Sequence, residues 1–264
     1  METPIGAGGS LSQFSVTDAE RQVADLLPIQ ADPKLALSVL DAVPFWFHTF
    51  ALNRAEGIYT PGAARDHRYR VSALPADFGG LSVLDVGTFD GFYAFLAERR
   101  GAGRVVAVEN EQYRLWVAAR WGIELEGGEG FRAIHGLVGS SVEYRRLDAF
   151  ELDRLDEQFD FVFCFGILHR VEDPLGLLRV LRERTAPAGA VLVETYGIRP
   201  EDRDGKEIRA SEPGEVYACD DYVYWGFGQA GIARLARDAG FERTEALDEV
   251  DVDGHPRVLA RLIA

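Results

Sequence analysis

A doubly wound α/β fold, with a mostly parallel sheet between two layers of helices, is what this sequence predicts, and three stretches carry the prediction. The first runs from Leu81 to Asn110, LSVLDVGTFDGFYAFLAERRGAGRVVAVEN. Val83, Leu84 and Val86 form a buried strand ending in Gly87, Phe92 to Arg100 a helix, and Val105 to Val108 a second strand that stops at Glu109. That unit has the length of a βαβ crossover, about 30 residues. The second stretch is Phe159 to Phe165, the most strand-like run, followed by a helix from Pro174 to about Arg184 and a strand from Ala190 to Tyr196. The third is the chain's end, where Thr244 to Val252 and Arg257 to Ile263 read as a β-hairpin.

The remaining elements fall into place around these. Residues 1–10 are Gly-rich and expected to fray. Thr17 to Leu27 and Pro33 to Leu40 show helical spacing, with Asp18, Glu20 and Asp32 as helix-start residues. An aromatic block, Pro44 to Phe50, precedes a turn-rich loop from Gly57 to Gly62. The block reads either as a plug over the sheet edge or as a lid whose polar contacts are His48, Tyr59 and Thr60. Arg65 to Arg70 reads as a salt-bridged helix face. Gln112 to Trp121 is a helix stopped by Gly122, and Gly130 to Gly136 another. Val142 to Asp148 is a strand ending in an acid, and Gly231 to Ala239 is the last helix. These readings divide the chain into a cap at 1–78 and a larger domain at 79–264, with an insertion at 198–229.

The turn after the first strand carries the chemistry. Gly87 and Gly91 bracket a backbone that a ligand can approach closely, and an acid at the tip of the second strand can accept both hydroxyls of a ribose. A dinucleotide site wants G-x-G-x-x-G, whereas this turn is Gly87-Thr88-Phe89-Asp90-Gly91. With Asp85 ahead of it, the pattern D-x-G-x-x-x-G resembles motif I of the class I S-adenosylmethionine (SAM) methyltransferases, with Phe89 where the family usually has a glycine. The resemblance implies a Rossmann-like, seven-stranded, mostly parallel sheet with an N-terminal helical and aromatic cap. It implies SAM as cofactor and S-adenosylhomocysteine (SAH) as product. By the same resemblance Asp85, Gly87, Thr88, Phe89 and Gly91 cradle the methionine end, while Glu109 and Asn110 hold the ribose. Asp148 and Ala149 would then meet the adenine, with Phe165 and Tyr59 closing the site. Asp148 has an alternative reading as an N-cap for the segment after it.

The run FDFVFCFGILHRVEDPLGLLRVLRERTAPAGAVLVETYGI is similar to the corresponding region of the tRNA wobble-uridine carboxymethyltransferases and their small-molecule-modifying relatives. His169-Arg170 stands where those carboxymethyltransferases have a Tyr-His pair, and the chain's only lysines, Lys34 and Lys206, lie outside the lid block. His169 is the expected general base and His48 the second choice, with a wall position as the alternative for His169. The insertion interleaves Tyr217, Tyr222, Tyr224 and Trp225 with acids including Asp221, a composition suited to a sugar ring or an amine. It reads alternatively as a capping hairpin.

Over 264 residues the net charge is −15, which counts against nucleic acid as a partner and for a small cationic or sugar-like acceptor, an amino sugar above all. Two cysteines, Cys164 and Cys219, form neither a disulfide framework nor a metal cluster. With no long apolar run and no signal-like start, the chain reads as cytoplasmic and free of membranes. A tRNA-modifying enzyme and a catalytically silent SAM-binding subunit are the alternatives to a small-molecule methyltransferase. The sequence leaves the oligomeric state open.

Overall fold

The computed structural model describes residues 15–212, 214–218 and 220–264; the Gly-rich start at 1–10 and Cys219 lie outside the described residues. Thr17 and Glu20 cap each other's backbone reciprocally, which sets the start of α1 (Asp18–Ala24). Asp32 caps α2 (Pro33–Ala42), whose first residue is a proline that needs no donor there. A short antiparallel pair follows, β1 (Ala51–Asn53) and β2 (Ile58–Tyr59), and then α3 (Arg68–Ser72).

The central unit is β3 (Ser82–Val86), α4 (Phe92–Arg99) and β4 (Arg104–Glu109), as the sequence predicts. Next come α5 (Tyr113–Trp121), stopped by Gly122 in the left-handed region, α6 (Glu129–Val138) and β5 (Glu143–Arg146). β6 (Phe159–Phe165), α7 (Pro174–Glu183) and β7 (Thr185–Tyr196) complete the second half. β7 begins before the expected Ala190 because its ladder to β6 resumes across an irregularity at Ala186-Pro187-Ala188-Gly189, turn residues that hide a strand in the sequence. The insertion holds α8 (Pro200–Arg203) and the pair β8 (Ile208–Ala210) and β9 (Trp225–Phe227). α9 (Gln229–Asp238) and the hairpin β10 (Arg243–Val252) and β11 (His255–Ile263) end the chain.

The sheet has seven strands in the order β10-β11-β7-β6-β3-β4-β5, parallel except for the two contacts made by β11. β3 and β6 lie side by side while the chain leaves them toward opposite edges, so a crevice opens at their carboxyl ends. One face of the sheet packs Leu84 and Val162 against Leu177 of α7 and Ile232 of α9. The other packs Phe92, Phe95 and Phe163 against Val23, Leu27, Trp46 and Phe50, so the cap shares a core with the sheet. Trp46 and Phe50 are fully buried and act as a plug. Among the described residues no helix is long and apolar enough to cross a membrane.

Candidate functional site

The glycine turn after β3 is built around an unusual residue. Gly87 and Gly91 have φ of 75° and 89°, and Phe89 between them adopts a left-handed φ of 54°. Such a conformation costs a non-glycine residue about 1–2 kcal/mol. Two contacts offset it: the Phe89 N–H donates to Glu109 at 2.9 Å, and its ring lies between Phe47 at 4.6 Å and Tyr113 at 4.0 Å. Thr88 donates its hydroxyl to Asp85 at 2.7 Å. Asp90 turns away from the crevice and clamps the aromatic block, accepting the Phe47 and His48 amides at 2.9 Å and meeting His48 Nδ1.

Along the carboxyl ends of the strands runs a cavity of about 700 Å³. On the β4 and β5 side its walls are Glu109, Asn110, Asp148 and Ala149; Gly87, Phe89, Phe165 and Gly166 lie at the β3–β6 switch point. Beyond β6 the walls are His169, Arg170, Arg257, Tyr222 and Tyr224. Burial pushes the Glu109 carboxyl up to about 7, against the Phe89 amide, which favours the charged form. Asp148 accepts the Phe150 amide at 2.9 Å and lines the cavity, while the short helical turn after it starts at Glu151.

Several expected site residues lie elsewhere. Asp85 is buried beneath the turn, its carboxyl raised to about 6 by burial, and Thr88 faces it. Gly91 is needed for packing, since a Cβ there would come within 2.5 Å of Phe95. Tyr59 donates to Asp25 at 3.1 Å on the cap, away from the cavity. Thr60 ties its loop to the aromatic block, accepting the Phe50 amide and donating to the His48 carbonyl. His48 is held by Asp90 and does not line the cavity. Of the insertion residues, Tyr222 and Tyr224 reach the cavity. Tyr217 is buried with its hydroxyl on Gly197, Trp225 donates to Val171, and Asp221 is exposed outside the walls.

His169 lies in the wall but is poorly set up as a base. The Tyr196 amide donates to its Nδ1 at 3.4 Å and Thr195 Oγ1 lies 3.2 Å away, an arrangement that puts the neutral ring's proton on Nε2. Burial first, and then Arg170, Arg257 and Arg70, hold its pKa well below the usual histidine range. That proton sits on a buried Nε2 that has no partner among the described residues.

Residues that the sequence reading passed over fill the acceptor side. Arg70 is buried and pairs with Glu194 at 2.7 Å, so the salt-bridged run at 65–70 turns one of its arginines inward. Arg170 pairs with Asp220, the neighbour of the expected Asp221, at 2.7 Å. Burial opposes the Asp220 charge, yet the Arg170 guanidinium keeps its pKa below the usual carboxylate range. Arg257 stacks over Tyr196 at 4.0 Å. Arg70 could be suspected only from the basic run at 65–70, and Arg257 reads as an ordinary strand residue. On the acceptor side Arg70, Arg170 and Arg257 line the main cavity together with the carboxylates Glu172 and Asp173, and the chamber beside it adds Arg65, Arg120, Asp66 and Asp220.

The β4 and β5 side suits SAM. Glu109 presents a buried hydroxyl acceptor, and Gly166, at φ 75°, leaves its Cβ position open where a ligand can lie. The family described as "Methyltransferase domain" matches residues 57–246. The chain belongs to this family. It is a class I methyltransferase in fold. Among curated proteins it is similar to the tRNA U34 carboxymethyltransferase of Campylobacter jejuni (strain 81116 / NCTC 11828), 25% identical over 62% of this chain and 50% of the relative. The Klebsiella pneumoniae (strain ATCC 700721 / MGH 78578) protein of the same description is 27% identical over 68% of this chain and 48% of the relative. The chain thus spans about half the length of these relatives. Among solved structures, the N-terminal domain of EvdMO1 with SAH bound has a TM-score of 0.60 at 18% identity, covering 88% of this chain and 96% of that one. The same domain in the presence of SAH and D-fucose scores 0.58 at 18% identity, over 97% and 100%. At these identities the likeness speaks for the fold.

Proposed function

We propose that this chain transfers a methyl group from SAM to a small polar acceptor, sugar-like in size, through an oxygen or nitrogen nucleophile. The observation that carries the reading is the continuity of one cavity from Glu109 and Asp148 to His169, Tyr222 and Tyr224. Its volume lies in the range of small-molecule pockets, roughly 300–1,000 Å³. SAM, when bound, supplies a methyl already activated by its sulfonium. The protein's part is then alignment and exclusion of water. Glu109 and Asp148 orient one partner, the tyrosines and Phe47 wall in the other, and His169 Nε2 donates a hydrogen bond to the acceptor. The D-fucose named with one structural neighbour supports a sugar-sized acceptor. Antibiotic biosynthesis and secondary metabolism are the setting this reading favours, with the chain in the cytoplasm.

The curated relatives support a second reading, methyl or carboxymethyl transfer to a tRNA wobble uridine. Release of SAH from SAM, measured against neutral and charged sugars, phenols and tRNA, decides between them. Turnover with small sugars is the expected result, turnover confined to tRNA favours the second reading, and no turnover with any acceptor favours a silent SAM-binding subunit. With the acceptor found, His169→Phe should lower kcat by roughly tenfold, the scale of one lost hydrogen bond. His169→Gln, which retains a donor, should recover much of it. Equal rates in the two variants would leave His169 as wall alone.

A further inference from the structure

The geometry points to an oxyanion, a carboxylate or phosphate carried by the acceptor, held in a side chamber of the cavity by Arg257. This deepens the proposed methyl transfer and rests on it. The chamber has a volume of about 250 Å³ and shares Phe47, Arg70, Trp116, Arg170 and Arg257 with the main cavity, so the two form one site. The arginines on its wall are Arg65, Arg70, Arg120, Arg170 and Arg257, against the carboxylates Asp66 and Asp220.

Pairing does not cancel this charge. Asp66 is bound by Arg68, outside the chamber, at 2.6 Å. Arg65 meets Glu20 at 3.4 Å and Arg170 meets Asp220 at 2.7 Å, so those pairs balance. Glu194 decides the sign. It is fully buried behind the wall and is shared by Arg70 at 2.7 Å, Arg257 at 3.5 Å and the Tyr69 hydroxyl at 2.8 Å. One carboxylate between two guanidiniums leaves a positive excess where the two cavities meet. His67 and His255, also on the wall, have pKa values lowered first by burial, so near neutral pH they add no negative charge and little positive.

A partly desolvated positive charge is costly without a counter-ion. A guanidinium's planar fork of N–H groups matches a carboxylate or phosphate in two-pronged fashion. Stacking on Tyr196 holds the Arg257 fork in one orientation, and Phe47 and Trp116 offer aromatic faces for the body of the acceptor.

Thermal unfolding of the SAH-loaded protein at constant ionic strength tests this with four probes: glucuronate, glucose 6-phosphate, glucose and glucosamine. The expected result is stabilisation by glucuronate or glucose 6-phosphate at concentrations about tenfold lower than the other two need, the scale of one charge-assisted pair. Glucuronate alone would identify a carboxylate, and glucose 6-phosphate alone a phosphate. Arg257→Gln should abolish the preference, whereas Arg257→Lys, which keeps a charge beside Glu194, should retain part of it. Equal or better stabilisation by glucosamine or glucose overturns the inference. So does the absence of any oxyanion effect on the wild type, or a preference that survives in Arg257→Gln. Calorimetry of SAH alone is the control: failure of SAH to bind the wild type would remove the cofactor reading, and this inference with it.

Discussion

The two halves of the cavity are built in opposite ways. On the β4 and β5 side, carboxylates from neighbouring strand tips, Glu109 and Asp148, face the ligand. On the β6 and β11 side, Arg70, Arg170 and Arg257 arrive from the cap, from the turn after β6 and from the terminal hairpin. The first half follows the chain through two successive crossovers, β3 to β4 and β4 to β5, and the second gathers residues nearly 190 positions apart. The contrast shows that a net charge of −15 does not set the charge of the cavity's walls. Surface charges are screened beyond roughly 8–10 Å in physiological salt, so a pocket's field belongs to the groups that line it.

The largest effect that would sharpen this contrast lies in the arginine half. Glu194→Gln removes the carboxylate that Arg70 and Arg257 share. Breaking a buried pair from one side costs about 3–5 kcal/mol. Urea unfolding should show that loss, and a change under about 1 kcal/mol would place the guanidiniums in water instead.

In the carboxylate half, Glu109→Gln should weaken SAH binding by about 1–3 kcal/mol through loss of charge-assisted bonds. Unchanged affinity by calorimetry would detach Glu109 from the cofactor.

The same residue sets a pH dependence of somewhat smaller size. Its carboxyl in the free protein is raised to about 7, first by burial, so it is protonated below that pH and ionised above. Ribose hydroxyls donate to the ionised form. SAH affinity should therefore fall as pH drops below 7, by at most about tenfold per pH unit for one proton. Glu109→Gln should flatten that slope; a slope that persists in the variant assigns it to another group.

The smallest effect belongs to Asp148→Asn. The side chain is half-buried and already accepts from Asn110 and Phe150, so a loss of about 0.5–1 kcal/mol in SAH binding is expected. A loss matching that of Glu109→Gln would make the two carboxylates equal partners.

Much of the fold was legible because its signals are local. Alternation or apolar runs mark strands, helical spacing marks helices, and Gly87, Gly122 and Pro174 punctuate them within a few residues. The β7 start was missed because Pro187 and Gly189 speak for a turn, and only pairing with β6 overrides them. Glu109 and Asp148 were legible for the same local reason, each ending a strand of the crossover series.

By itself the sequence determined the layered α/β architecture, the glycine turn and the acids at the strand tips, since each depends on residues close along the chain. The tertiary structure alone decided that Asp90 clamps the aromatic block and that Asp220 takes Arg170. It alone brought Arg70, Glu194 and Arg257 into one buried cluster. A side-chain charge carries no periodic signal of its partner: which carboxylate a guanidinium meets, and which it leaves free for a ligand, is settled by packing between segments far apart in the chain.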